Sequence, residues 1–563
     1  MDTDRGVRVG RGAAGALIGA AVVLAAGPAG AGGVQVASVA PTEVVLEWTT
    51  EAEEPARWWV RRSDGAPDTS DAGDAGWEAF ASDAAPSRYH VAEAEELQPG
   101  TAYELRVAED GPTTRVTTPE PPPGELRARL FVLTDIHLCV DDCPNGVRRL
   151  GASRAAYAAA MKDIVGHAGA LPAGLPRAIV ILGDLAQRPT AATWAAVAEP
   201  DRGGIPMCVI PGNHDGWDEQ WKERWRELLE KLESPECRME DGRGVLDLGP
   251  WRVALLNSAV PGDNWGALGD EQHGWLEGTL AEAPERPTLL AMHHPYASHP
   301  AAVALGRDAR YTYLQDAAAL EDLLERSPQV AAVLSGHVHL NWTGKRGTAT
   351  QYVFSALVQY PMGWHALALY DGGIVRTYHP LRETAAESAA SREAVREWGR
   401  STGIPFADGV TALVYGSLSD RSGVVVTAGA PASADAGAGG DADARSDATA
   451  GVPVPSGAGH GAGAQDAAAG GATESGRDVT SDGTDRGTGA PRRSGCRCAA
   501  AGADPPGLWF GVVLGSALLL RRRRGAFALR SRSTARPRTG AGGAGRRPAR
   551  GACGSSRPGE CPR

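Results

Sequence analysis

The chain has 563 residues, enough for two or three domains with tails, and its 42% hydrophobic content allows a sizeable core. The formal net charge of −12 hides an asymmetry: residues 521–563 carry 13 Arg and one Glu, a local +12, so the preceding 520 residues carry about −24. An acidic body argues against a nucleic-acid-coating role, which requires a basic face.

In chain order, residues 1–31 read as an export signal. Arg5, Arg8 and Arg11 precede an apolar run over residues 13–26, and Ala29-Gly30-Ala31 supplies a small-residue cleavage site. Export permits disulfides. Of the eight cysteines, Cys139, Cys143, Cys208 and Cys237 fall in the central region, and four cysteines allow three full pairings between which the sequence does not choose. Cys139 with Cys143 would close a tight loop, whereas Cys208 sits in an apolar strand pattern and is equally well a buried free thiol.

Residues 32–119 show period-2 alternation at 44–48, 57–61 and 101–107, broken by Gly, Pro and Asp clusters, which predicts a small β-sandwich. Leu97-Gln98-Pro99-Gly100-Thr101-Ala102-Tyr103 resembles the tyrosine-corner strand of fibronectin type III domains, and Trp48 fits that family as a core residue. The resemblance implies a Tyr103 hydroxyl bonded back to nearby backbone. A Pro-rich joint over residues 120–126 follows and is expected to act as a semi-rigid spacer.

From residue 127 to 382 the pattern turns to strands alternating with helices. Continuous apolar runs lie at 130–134, 178–182, 207–210, 253–256, 288–292 and 330–334, with helical stretches at 153–168, 219–232, 270–281 and 315–325 between them. Strands apolar on both faces indicate an α/β layered core, closed by strands at 351–355, 365–370 and 374–378. Residues 383–494, mostly Ala, Gly, Asp, Ser and Thr, read as a disordered acidic linker, helical at most near 391–400.

Candidate metal ligands stand just after the apolar runs: Asp135 and His137, Asp184, Asn213-His214-Asp215, His293-His294, and His337 with His339. Ligands in open α/β sheets bind beyond the carboxyl ends of strands, so these clusters should converge on one rim. Mixed imidazole and carboxylate donors without Cys favour Zn, Mn or Fe. A carboxylate shared by two such ions suits displacement at phosphorus, and the ions lower the pKa of a bound water to give a hydroxide nucleophile. Any one of these motifs alone is weak; their joint order is not.

Asp135-x-His137, Gly183-Asp184, Gly212-Asn213-His214-Asp215, His293 and Gly336-His337-x-His339 resemble the motif set of the calcineurin-like metallophosphoesterases. The resemblance implies a four-layer α/β/β/α fold and a metal-dependent phosphoric ester hydrolase with two divalent ions. It implies Asp135, His137 and His339 on the first ion, Asn213, His293 and His337 on the second, and Asp184 bridging. His294 is set aside because the family ligand stands two residues before the proline. His214 would contact the phosphate and protonate the leaving oxygen, with Asp215 orienting its ring. A fibronectin-like domain ahead of such a core also resembles the purple acid phosphatases. Those carry a Tyr where Gln187 stands and a Gly where His137 stands, so the chain is more similar to the cyclic-nucleotide and glycerophosphodiester phosphodiesterases. His273 is expected to face solvent, His365 and His379 to be structural, and His299 and Asn341 to be weaker candidates for lining the site.

In residues 495–524, Gly495-Cys496-Arg497-Cys498 precedes an apolar run at 508–520 and four Arg at 521–524. The run is shorter than the roughly 20 residues of a membrane-spanning helix. The arrangement is similar to the C-terminal sorting signals of myxobacterial surface proteins, although residues 525–563, a basic disordered tail, continue beyond it. The combined expectation is an exported hydrolase of a small or nucleotide-like phosphate ester, held at the cell surface or outer envelope or released outside. The alternative is a surface adhesion protein on an inert phosphoesterase scaffold. Substrate, metal identity and oligomeric state are not legible.

Overall fold

The computed structural model describes residues 34–63, 76–81, 86–140, 152–216, 221–232, 234–240, 242–297, 299, 313–346, 349–382, 385–401 and 407–427. The expected export signal, the sorting segment, the basic tail and Cys143 lie outside the described residues.

The N-terminal region is all-β. Strands β1 (Gln35–Ala40), β2 (Glu43–Glu54), β3 (Arg57–Arg62), β4 (Glu78–Ala81), β5 (Ser87–Ala94), β6 (Ala102–Arg106) and β7 (Thr114–Thr117) form two sheets, ordered β1-β2-β5 and β4-β3-β6-β7. Alternation explains β2: Val44, Leu46 and Trp48 point into the sandwich, while Val45 points out and is nevertheless buried against the rest of the molecule. The Gln98 N–H donates to the Tyr103 hydroxyl at 2.8 Å, the corner expected from sequence.

Strands β8 (Leu126–Leu133), β9 (Arg177–Ile181), β10 (Met207–Val209), β11 (Cys237–Glu240), β12 (Arg243–Leu248), β13 (Trp251–Leu255), β14 (Thr288–Ala291), β15 (Val330–Ser335), β16 (Trp342–Arg346), β17 (Ala349–Val353), β18 (Gly363–Tyr370), β19 (Gly373–Pro380) and β20 (Gly423–Val426) follow. They make a six-stranded sheet, β10-β9-β8-β18-β19-β20, and a seven-stranded sheet, β11-β12-β13-β14-β15-β17-β16. The strands that carry the motifs are parallel to their neighbours: β8, β9 and β10 in one sheet, β13, β14, β15 and β17 in the other.

The pleat sorts side chains into layers. Leu130, Val132 and Val180 meet Trp251, Val253 and Leu289 between the sheets. Phe131 and Ile179, one residue over, face Tyr157 of α1 (Ser153–Gly169), Trp194 of α2 (Ala191–Ala198) and Trp225 of α3 (Trp221–Leu232). On the opposite side Leu290 and Val333 face Leu276 of α4 (Gly269–Glu282) and Leu320 of α5 (Ala317–Glu325). The outcome is helix, sheet, sheet, helix.

Four expectations change. First, Cys208 is not a free thiol: it is bonded to Cys237, tying the edge strand of one sheet to the edge strand of the other. Cys139 is disulfide-bonded as well. Second, the Pro-rich joint, expected as a semi-rigid spacer, is also tied to the core. Glu125 N–H donates to Asp371 at 2.9 Å and Gly372 N–H to the Pro123 carbonyl at 2.9 Å, pinning the joint to the β18–β19 turn. Third, His273 is turned inward to within 3.2 Å of Asp316.

Fourth, residues 385–401 and 407–427, assigned to the linker by composition, continue the fold. They form α6 (Ala385–Ser401), α7 (Ala407–Tyr415), α8 (Leu418–Arg421) and β20, which pairs antiparallel with β19. Val395, Trp398, Val410 and Val414 are buried against Ala37, Val45 and Val91 of the N-terminal sheet and against Tyr360 and Tyr378 of the core. Arg421 donates to the Ala37 carbonyl at 2.8 Å and to that of Val36 at 2.9 Å. Among the described residues, no helix is long and apolar enough to cross a membrane.

Candidate metal centre

Both sheets deliver polar residues from the same kind of place, the carboxyl end of a parallel strand. Asp135 and His137 follow β8, Asp184 follows β9, and Asn213, His214 and Asp215 follow β10; His293 follows β14, and His337 and His339 follow β15. Five of these residues have left-handed backbone: Asp135 (φ 51°), His137 (44°), Asp184 (49°), His337 (69°) and His339 (55°). Among the described non-glycine residues only Glu96 shares that conformation. Each costs on the order of 1–3 kcal/mol, and such strain clusters where function demands it. The glycines of the motifs make room: a Cβ on Gly212 would fall on the Asp184 carboxylate, and one on Gly336 on the Thr134 hydroxyl.

The side chains meet in two adjoining groups. In the first, Asp135 Oδ1 is 3.1 Å from His339 Nε2, which is 3.2 Å from His137 Nε2. In the second, His293 Nε2 is 3.2 Å from both Asn213 Oδ1 and His337 Nδ1. Asp184 Oδ2 lies between the groups, 3.6 Å from His137 Nε2 and 3.4 Å from His293 Nε2. Asp135, Asp184 and His293 are fully buried or within 1% of it.

Three features fit small divalent cations. Asp135 Oδ1 is buried without a hydrogen-bond partner among the described residues. His293 Nδ1 bonds the Leu182 carbonyl at 2.7 Å and His339 Nδ1 bonds Gln359 Oε1 at 2.8 Å. Those bonds place each Nδ1 proton outward and turn the Nε2 lone pair into the site, as metal-bound imidazoles require. Finally, the buried carboxylates call for positive charge. Burial would raise Asp135 and Asp184, yet neighbouring imidazoles hold both below the usual carboxylate range. Burial lowers His293, but Asp184 outweighs it and holds the ring up at about 9, while burial pushes His137 down to about 3. Two cations would satisfy all these donors together.

Of the adjacent pair, His293 points into the site. His294 turns away to Ser258 Oγ, 2.9 Å from its Nδ1. His214 is half-buried at the mouth; its backbone N–H donates to Asp184 Oδ1 at 2.8 Å, and its ring stands edge-on to His137 at 4.8 Å. Asp215 does not take the ring-orienting part expected of it. Its carboxylate accepts N–H groups from Leu185 (3.2 Å), Ala186 (3.0 Å) and Gly212 (2.9 Å), locking the loops after β9 and β10 together. Burial and the nearby Asp184 push it up to about 7. The carbonyl of Gln187, 3.4 Å from His214 Nδ1, stands beside the ring instead.

Asn341 is structural: its Oδ1 accepts from Ser355 N–H and sits 3.0 Å from His365 Nε2. His299 packs 5.0 Å from the Trp342 ring, and burial lowers it to about 4. Gln359, Ser258 and Asn264, which accepts from Asn213 Nδ2 at 3.2 Å, support the site without any sequence motif to mark them.

Residues 128–341 match the model of the calcineurin-like phosphoesterases. The chain is 31% identical over 289 residues to the 3′,5′-cyclic adenosine monophosphate phosphodiesterase CpdA of Escherichia coli K12, covering 48% of this chain and 96% of that protein. It is 30% identical over 253 residues to a probable cyclic nucleotide phosphodiesterase of Synechococcus, covering 44% and 89% respectively. Among solved structures, a dimetal phosphatase from Danio rerio aligns with 46% of this chain and 97% of its own, at 14% identity and a TM-score of 0.36. With 96% of a relative at 31% identity covered, the chain belongs to the calcineurin-like phosphoesterase family and is a metal-dependent phosphoester hydrolase.

Proposed function

We propose that this protein is a two-metal phosphodiesterase of small diesters, cyclic nucleotides foremost, working outside the cytoplasm. The observation that carries the reading is the intact pair of adjoining donor groups with Asp184 between them. Asp135, His137 and His339 would hold one ion, Asn213, His293 and His337 the other, with Asp184 shared. When bound, such ions supply an activated water and neutralise charge at phosphorus. His214 would donate a proton to the leaving oxygen, a reading supported by its half-exposed ring and by its backbone tether to Asp184. Asp215 fixes the loop that presents it. The named activities of the relatives support a cyclic-nucleotide-like substrate. The inert-scaffold alternative is not favoured, because no donor of the set is missing.

The strand order and the Tyr103 corner support a fibronectin type III identity for the N-terminal sandwich. The signal-like start and the Cys–apolar–Arg segment support export and surface retention, read out by antibody labelling of intact cells; exclusively cytoplasmic protein would reject it. For activity, the purified full chain loaded with manganese, zinc or iron is assayed on cyclic nucleotides, glycerophosphodiesters and monoesters. Diester hydrolysis that stops at the monoester is expected; turnover of monoesters alone would overturn the reading. The iron-loaded protein should be colourless, since Gln187 replaces the tyrosinate of the purple enzymes.

A further inference from the structure

A second group of metal-capable side chains, sharing no residue with the catalytic rim, lies where the N-terminal sandwich meets the core. Glu93 on β5, His167 in the last turn of α1 and His379 on β19 bring one ligand atom each within 4.8 Å of one another. We propose that these three, with Glu43 as fourth donor, form a structural divalent-cation site of the zinc type that fastens the two regions.

The spacing supports a cation at the centre. Glu93 Oε1 is 3.5 Å from His167 Nε2 and 3.4 Å from His379 Nδ1, and Glu43 Oε1 is 3.8 Å from His379 Nδ1. Donors around a tetrahedral zinc with bonds of about 2.0–2.1 Å stand roughly 3.3–3.4 Å apart, longer than a good hydrogen bond between the same atoms. The catalytic donors show the same loose spacing, 3.4–3.6 Å between Asp184 and its imidazoles. Glu43 Oε1 is buried and has no hydrogen-bond partner among the described residues. A cation would satisfy it.

The surroundings hold the donors in place. The Trp364 ring stacks on His379 at 4.1 Å and meets His167 edge-on at 5.0 Å, fixing both imidazoles. His379 Nε2 is 3.0 Å from Thr377 Oγ1, a hydroxyl that can accept a hydrogen bond from it when Nδ1 binds a cation. Arg382 binds the other oxygen of Glu93 at 2.6 Å and orients the carboxylate. Two imidazoles with carboxylates match the donor chemistry of zinc.

The site shares no residue with the catalytic cluster, so it is tested separately. The full chain, His167→Gln and Glu93→Gln are dialysed against zinc and their bound metal is counted. Each variant should hold one equivalent fewer than the parent, whatever the catalytic cluster retains; equal counts overturn the proposal. Crystals of the parent soaked in zinc give a reading independent of any variant. An anomalous peak at bonding distance from His379 Nδ1 is expected, and its absence overturns the site as well.

Discussion

The layer between the two sheets and the rim above it are built from the same strands by opposite rules. Within the layer, Val132, Val180, Val253 and Leu289 are buried, apolar and in ordinary strand backbone. A few residues further along those same strands, Asp135, Asp184 and His293 are just as buried, but charged or polar, and two of the three have left-handed backbone. Burial in the layer is its own reward through the hydrophobic effect. At the rim it is tolerable only because ions can compensate it. The difference teaches that the layer supplies the stability which the rim consumes.

Substitutions should therefore separate activity from stability according to which region they touch. Asp184→Asn should cause the largest loss of activity, beyond that of any single outer ligand, since an amide cannot offset two adjacent dications. Metal content and kcat/KM measure it, and unchanged activity of that variant after exhaustive chelation would sink the two-metal reading. His214→Ala should keep both metals and lose about 10²–10⁴-fold in turnover, less for esters with good leaving groups. Loss of one metal instead would make His214 a ligand.

In the layer, Leu289→Ala should cost about 2–5 kcal/mol in denaturant unfolding while the folded fraction turns over normally. A turnover defect per folded molecule would blur the proposed division. The smallest effect is expected where the sheets are already held by packing. Replacing Cys208 and Cys237 together by Ala removes a link across 29 residues of sequence and should cost about 2–4 kcal/mol, with activity kept. No shift in the unfolding midpoint would mean that the bond contributes nothing.

Much of this was legible because strand-end motifs are local. The apolar run, the glycine and the polar ligand occur within a few residues, and the pleat and the parallel order then bring five such clusters to one edge. What the chain hid is non-local. Cys208 finds Cys237 only because β10 and β11 end up at matching edges of different sheets. Asp215 looked like a partner for its neighbour in sequence, but the amides of Leu185 and Ala186 arrive from another strand end. Gln359 and Ser258 carry no motif because their work is a single hydrogen bond each. Residues 385–401 and 407–427 were missed for a different reason: an Ala-rich composition masked a usable signal. Val395 with Trp398, and Val410 with Val414, stand at helical spacing and are all buried.

The Arg421 clasp also bears on how the molecule comes into being. Its guanidinium reaches the carbonyls of Val36 and Ala37 across 385 and 384 positions of sequence. A ribosome therefore releases β1 long before the partner that finishes its outer edge exists. The N-terminal sandwich can assemble early, yet its outward-facing Ala37, Val45 and Val91 stay uncovered until α6 and α7 arrive. A truncation at residue 341 or 382 would freeze the protein at that stage, with apolar surface open to the solvent. Such shortened chains should be sticky, and the shortest well-behaved version should extend to Thr427, where the backbone N–H bonds the Gly372 carbonyl at 2.9 Å.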